Sequence, residues 1–366
     1  LLLLFWSYSN YFSFPFLCTC VYLLSLFSHS TNRQKAFIPF SFAFSTRNLS
    51  TLFDRATTSP KMRAAGLLSL VLAAIPAVTA AKRGTLGVSL GNKNPDGTCK
   101  STSDYEADFD ALKSLTTLVR TYSANDCDTA VNIVPAAKNK QFKVVLGVWA
   151  DYEESFNNDL NVLKKTVPGN EDVVHSITVG SETLYRKGLT AQELLDKIRT
   201  VQGAFPKTTV GTVDSWNLFY DGTANPIIEG GVTYIMANAF AYWQGSDIDH
   251  ATKTYWNDTT LALDSIEKAA GNNKDKIVFA NGETGWPTDG GSDYAAAKAG
   301  TQNAARYWKE AVCSMLAWGV DVFYFEAFDE SWKPKSIGDN GEEKDETHWG
   351  LFTADRKAKF DLSCPN

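Results

Sequence analysis

Two short strings about a hundred residues apart hold the side chains best suited to chemistry: Val179-Gly180-Ser181-Glu182 and Gly282-Glu283-Thr284-Gly285-Trp286-Pro287. Each sets a glutamate just after a run of β-forming residues and within two positions of a glycine, where a strand should end and a loop begin. Two carboxylates presented that way are the minimum equipment for cleaving a glycosidic bond, one protonating the leaving oxygen and one attacking the sugar carbon. A lone glutamate is usually a solvated surface charge. For Glu182 and Glu283 the strand-end placement and the aromatic neighbours Tyr185 and Trp286 reverse that expectation.

Something must bring the two together. From residue 84 onward, β-rich runs alternate with amphipathic stretches, and the spacing predicts strands over 84–90, 117–122, 142–149, 176–181, 208–213, 232–239, 277–282 and 320–325. Helical periodicity falls over 104–115, 128–139, 191–202, 259–270 and 295–318. Eight strands each followed by a crossover predict an α/β fold, a single (β/α)8 TIM barrel over residues 82–366. An open doubly wound sheet is disfavoured, because no GxGxxG follows the first strand. On a barrel, Glu182 would end the fourth strand and Glu283 the seventh. Both would then open onto the C-terminal face, where such folds keep their chemistry.

Other residue types at the same rim suit a sugar cleft. Trp149, Trp216, Tyr242, Trp243, Trp286, Trp332 and Trp349 fall at or after expected strand ends, where flat rings can stack on the apolar faces of glucose units. Among these, Trp149 and Trp286 are the main candidates for lining the cleft. Tyr122, Asp214, Asn238, Glu326 and Glu330 could hydrogen-bond sugar hydroxyls, or instead satisfy backbone groups at the barrel top. Trp308 and Trp318, inside a helical stretch, read as core.

Composition limits the alternatives. The 366 residues are 44% hydrophobic and 21% charged, ordinary for a globular protein. A formal charge of −6 with no clustered Lys or Arg argues against nucleic acid. Residues 1–61 differ from the rest: they lack Gly and Met, hold ten of the 22 Phe, and carry five Lys or Arg against one acid. They read as a non-native upstream extension or disordered prefix. A membrane anchor over 1–27 is the alternative, though Ser7, Ser9, Asn10, Ser13 and Pro15 interrupt it. Met62-Arg63, the apolar run 64–78 and the small-residue site Val78-Thr79-Ala80 then form a secretory signal peptide over 62–81. The remainder is more acidic than the whole chain, and a secreted, soluble monomer without a membrane span is expected.

Cysteine usage agrees with export. Outside the prefix stand Cys99, Cys127, Cys313 and Cys364; three pairings are possible, and proximity favours Cys99–Cys127 with Cys313–Cys364. Asn257-Asp258-Thr259 is a glycosylation sequon that would suit an exposed loop. His175, His250 and His348 are widely separated without HxH or HExxH spacing, so no metal site is expected. No cofactor is indicated either.

Taken with the strings Asp96-Gly97-Thr98-Cys99, Val179-Gly180-Ser181-Glu182-Thr183-Leu184-Tyr185-Arg186, Asp214-Ser215-Trp216-Asn217, Met236-Ala237-Asn238-Ala239-Phe240, Gly282-Glu283-Thr284-Gly285-Trp286-Pro287 and Phe325-Glu326-Ala327-Phe328-Asp329-Glu330-Ser331-Trp332-Lys333-Pro334, the chain resembles the fungal cell-wall β-1,3-glucanases and glucanosyltransferases of glycoside hydrolase family 17. The likeness runs from about residue 86 to 364. It implies a retaining enzyme of the cell wall acting on β-1,3-glucan, with Glu182 as acid/base and Glu283 as nucleophile. It further implies that Asn238 and Tyr242 touch substrate and that Glu330 and Lys333 support the cleft. Many related barrel glycosidases carry Asn just before the acid/base, where this chain has Ser181, a serine the fungal branch shares. Retention requires the carboxyls roughly 5–5.5 Å apart and a covalent glucosyl intermediate. Water or a second glucan could resolve that intermediate, giving hydrolysis or chain transfer. A lectin-like wall protein with an inert cleft is the reading from another class.

Overall fold

The computed structural model describes residues 82–337 and 341–365. The prefix and signal peptide expected over 1–81 lie outside the described residues. Eight parallel strands close into a barrel in chain order: β1 Leu86–Ser89, β2 Leu118–Arg120, β3 Lys143–Val148, β4 Val174–Ser181, β5 Val210–Ser215, β6 Tyr234–Asn238, β7 Val278–Thr284 and β8 Asp321–Tyr324. Pairing of Leu86 with Val322 and of Val88 with Tyr324 closes the ring. Each expected strand is present, displaced by a few residues at its ends.

Helices cover the outside: α1 Thr102–Leu112, α2 Thr129–Lys140, α3 Glu153–Thr166, α4 Ala191–Ala204, α5 Trp216–Tyr220, α6 Asn225–Glu229, α7 Ile248–Ala270, α8 Thr301–Tyr307 and α9 Cys313–Trp318, the last two joined by a π-helical turn, Trp308–Val312. Local chemistry fixes several starts. Ser101 with Asp104 and Thr190 with Glu193 form capping boxes at α1 and α4, and the Asp247 carboxylate accepts from the backbone N–H groups of Asp249 and His250 at α7. α7 therefore begins eleven residues before the expected 259. Residues 295–300, expected to be helical, are not. Tyr294 pairs with Ala297, the Asp293 carboxylate accepts from the Ala299 N–H, and the Lys298 carbonyl accepts from the Trp286 indole.

Strand side chains alternate between two cores. Leu118, Val145, Val213, Met236, Ala280 and Phe323 pack inside the barrel. Their neighbours Val119, Val144, Leu146, Ile235 and Val322 join the larger core beneath the helices. Arg120 follows Leu118 by two and so belongs to the inward set. Two disulfides fasten the outside: Cys99–Cys127 joins the segments leading into α1 and α2, and Cys313–Cys364 ties α9 to the C-terminal tail. Among the described residues, no helix is long and apolar enough to cross a membrane. A two-stranded ribbon, β9 Ser336–Ile337 with β10 Glu343–Lys344, follows the barrel.

Candidate active site

Register breaks aim both glutamates. In β4 the pairing with β5 shifts between Thr178 and Ser181, around Gly180 at φ +78°. A bulge of this kind changes the phase of alternation, so Ser181 turns inward, where Arg120 donates to its hydroxyl at 3.0 Å. Gly180 is required there: a Cβ would sit in a left-handed conformation and 2.8 Å from Thr183 Oγ1. In β7 the pairing with β6 shifts at Asn238, which faces Glu283. Gly285 then lets the chain pass β8, since a Cβ would lie 2.1 Å from the Phe325 carbonyl.

The two glutamates face one cleft of about 430 Å³ at the C-terminal end of the barrel. Its walls include Tyr185, Trp216, Phe240, Trp243 and Phe325, with Asn217, Asn238, Gln244 and Glu346 as polar groups. The carboxylates have contrasting partners. Glu283 Oε1 accepts from the Arg120 guanidinium at 2.6 Å; that guanidinium is fully buried, also donates to the Gly282 carbonyl, and lies over the Tyr122 ring. Among the described residues, Glu182 Oε1 accepts a neutral amide, from Asn238 at 3.0 Å. Burial, and then the negative charge of Glu283, push the Glu182 carboxyl up to about 7. The Arg120 guanidinium is a buried counter-charge in direct contact with Glu283. Two glutamates with unlike partners thus share one cleft, the arrangement two-carboxylate glycosidic chemistry needs.

The other expected residues divide into those at the cleft and those beneath it. Asn238 lines the cleft and touches Glu182. Ser181 and Tyr122 are packed around Arg120 under its floor. Trp149 is half-buried under the Arg186 guanidinium, 4.5 Å from its ring centre. Glu326 and Glu330 are buried and share the Lys333 ammonium at 2.6 and 3.1 Å, and burial followed by the Glu330 charge raises the Glu326 carboxyl well above its usual range. This triad braces Phe325, which lies against Lys333 and lines the cleft.

Four expectations need correction. Trp286 is fully buried, its indole N–H donating to the Lys298 carbonyl, so its ring offers no face to a sugar. Tyr242 is buried too, its hydroxyl donating to the Ser292 carbonyl. With Trp349 these rings form an aromatic layer that supports Trp243, stacked on Trp349 at 5.5 Å and itself in the cleft. Asp214 is 1% exposed and accepts backbone N–H bonds from Leu184, Tyr185 and Ser215 at 2.8, 3.2 and 2.9 Å; it faces a loop, not the cleft. Asn257 is exposed but sits within α7 instead of a loop, with Thr259 of its sequon buried. Arg120 was missed: as the last residue of a short Leu-Val-Arg strand it resembles an exposed end charge.

The chain is similar to known proteins in both sequence and fold. The model of the BtgE/BtgC glycoside hydrolase domain matches residues 87–350. A glucan 1,3-beta-glucosidase of Arthroderma benhamiae is 61% identical over 303 residues, covering 83% of this chain and 98% of the relative. One from Saccharomyces cerevisiae is 43% identical, covering 77% and 91%. The crystal structure of a family 17 β-1,3-glucanosyltransferase from Rhizomucor miehei superposes with a TM-score of 0.65 at 28% identity, covering 76% of this chain and 98% of that one. With its barrel and paired glutamates in the matched region, the chain belongs to the BtgE/BtgC glycoside hydrolase family.

Proposed function

We propose that the protein is a retaining glucosidase of β-1,3-glucan, with Glu283 as nucleophile and Glu182 as acid/base. The observation that carries the assignment is the unequal environment of the pair among the described residues, a buried guanidinium on Glu283 and an amide on Glu182. In the first step a Glu283 oxygen bonds to the anomeric carbon as the glycosidic bond breaks, and Glu182 gives its proton to the departing glucan oxygen. In the second, Glu182 takes a proton from the incoming hydroxyl, whose oxygen displaces Glu283. Because Glu182 must start protonated, the first step is supported below about pH 7 and fades as pH rises through that value.

Names of the relatives support the substrate class, since the Arthroderma benhamiae and Saccharomyces cerevisiae proteins are glucan 1,3-beta-glucosidases. Secretion into a fungal cell wall, action as a monomer, glycosylation at Asn257 and cleavage of a signal peptide before residue 82 complete the reading. The two disulfides favour an oxidising compartment. Chain transfer is the second reading, favoured by the likeness to the Rhizomucor miehei glucanosyltransferase. Laminaripentaose followed by NMR separates the outcomes. A β-configured first product is expected, shorter products marking hydrolysis and longer-than-input products marking transfer; an α-configured first product rejects the double displacement.

A further inference from the structure

Glu182 sits at φ +55°, in the left-handed region that a side-chain-bearing residue seldom occupies. Such a backbone persists only where its surroundings over-determine it, at a cost on the order of 1–3 kcal/mol. The segment after it is held from two sides. On the β5 side, the Asp214 carboxylate accepts from the N–H groups of Leu184 and Tyr185. On the β3 side, Asp151 accepts from the Thr183 hydroxyl at 2.6 Å and from Arg186 Nε and Nη2 at 3.0 and 2.9 Å. Every residue from 183 to 186 is thereby tied to a carboxylate outside the loop.

We propose that Asp214, assisted by Asp151, is a positioning residue that holds the Glu182 carboxyl at the leaving-group oxygen without touching substrate. The inference rests on the acid/base role given to Glu182 above. A carboxylate suits the task because it only accepts, with lone pairs enough for three N–H donors. An asparagine would turn an NH2 group toward at least one of those donors, break that bond, and let the loop and Glu182 shift. Displacement of a proton donor by about 1 Å costs on the order of 10²-fold in rate.

The test compares substrates that differ only in their need for a proton. Laminaripentaose leaves as an alcohol and requires the acid; 2,4-dinitrophenyl β-laminaribioside leaves as a stable phenolate and does not. In Asp214→Asn, turnover of laminaripentaose should fall roughly 10²-fold while the dinitrophenolate burst that reports the first step stays within about threefold, with KM little changed. Glu182→Gln should show the same split more strongly, and Asp151→Asn more weakly. Equal losses on both substrates, no loss on either, or a loss confined to KM in Asp214→Asn would overturn the positioning role. If Asp214→Asn does not fold, judged by near-UV circular dichroism, Asp151→Asn decides, and absence of a split there rejects the idea. Absence of the split in Glu182→Gln itself would instead reject the acid/base assignment.

Discussion

Glu283→Gln is expected to lower turnover of laminari-oligosaccharides by on the order of 10⁵-fold, since removing a nucleophile eliminates the covalent route. The fold should survive at reduced stability, because a glutamine carbonyl can still accept from Arg120 where Glu283 Oε1 does now but no longer balances its buried charge. Loss of activity without loss of structure, followed by circular dichroism alongside reducing-sugar release, separates chemistry from packing. In Glu283→Ala, azide should partly restore turnover of an activated glucoside and yield the α-glucosyl azide. A small anion would enter from the face that the carboxylate vacates, and its product would show which face that is.

Arg120→Met is expected to damage stability and activity together. Arg120 is fully buried and Glu283 is 8% exposed, so deleting the guanidinium leaves a buried carboxylate without its counter-charge. Breaking a buried pair from one side costs roughly 3–5 kcal/mol, which for a barrel of this size lowers the melting temperature on the order of 10 °C. Turnover should fall as well, because Glu283 would lose the donor that fixes its Oε1 in the cleft. Arg120→Lys tests geometry against charge. Lysine retains the positive charge but cannot donate at once to Glu283, the Gly282 carbonyl and Ser181 from a planar fork. It should recover much of the stability and only part of the rate. Thermal melts with kinetics on laminaripentaose provide both numbers, and a methionine variant as stable as the parent would remove Arg120 from its assigned place.

Much of this architecture was legible because period and punctuation point the same way. Apolar runs such as Val144 to Val148, bounded by turns, mark strands buried on both faces, and eight of them leave few topologies other than a closed barrel. The two glutamates stood out by strand-end position, a nearby glycine and aromatic neighbours, and both line one cleft. Arg120 was not, because nothing local distinguishes a charge aimed into a barrel from one at its rim; only closure brings β2 opposite β4 and β7. Trp286 and Tyr242 misled for a related reason. Aromatic residues suit both a sugar platform and a packed layer, and the backward fold of residues 286–300 decides which. The helical reading of 295–300 leaned on the apolar spacing of the whole stretch 295–318, which the tie between Asp293 and Ala299 overrides at its start. Helix α3 was overlooked because polar residues dominate it, although Phe156, Leu160 and Leu163 recur at helical spacing and are buried. The start of α7 was readable from the Asp247 cap yet hidden by a count that began with the later apolar positions.

Trapping of the glycosyl enzyme tests the central claim most directly. Incubation with a 2-deoxy-2-fluoro β-laminaribiosyl donor bearing a dinitrophenyl leaving group should accumulate a covalent adduct, since the fluorine slows both steps and the activated leaving group spares the first. Peptide mass mapping should then place one fluoro-laminaribiosyl group on Glu283. An adduct on Glu182, Glu326 or any other side chain, or substrate turnover with no adduct and an α-configured product, would contradict the account.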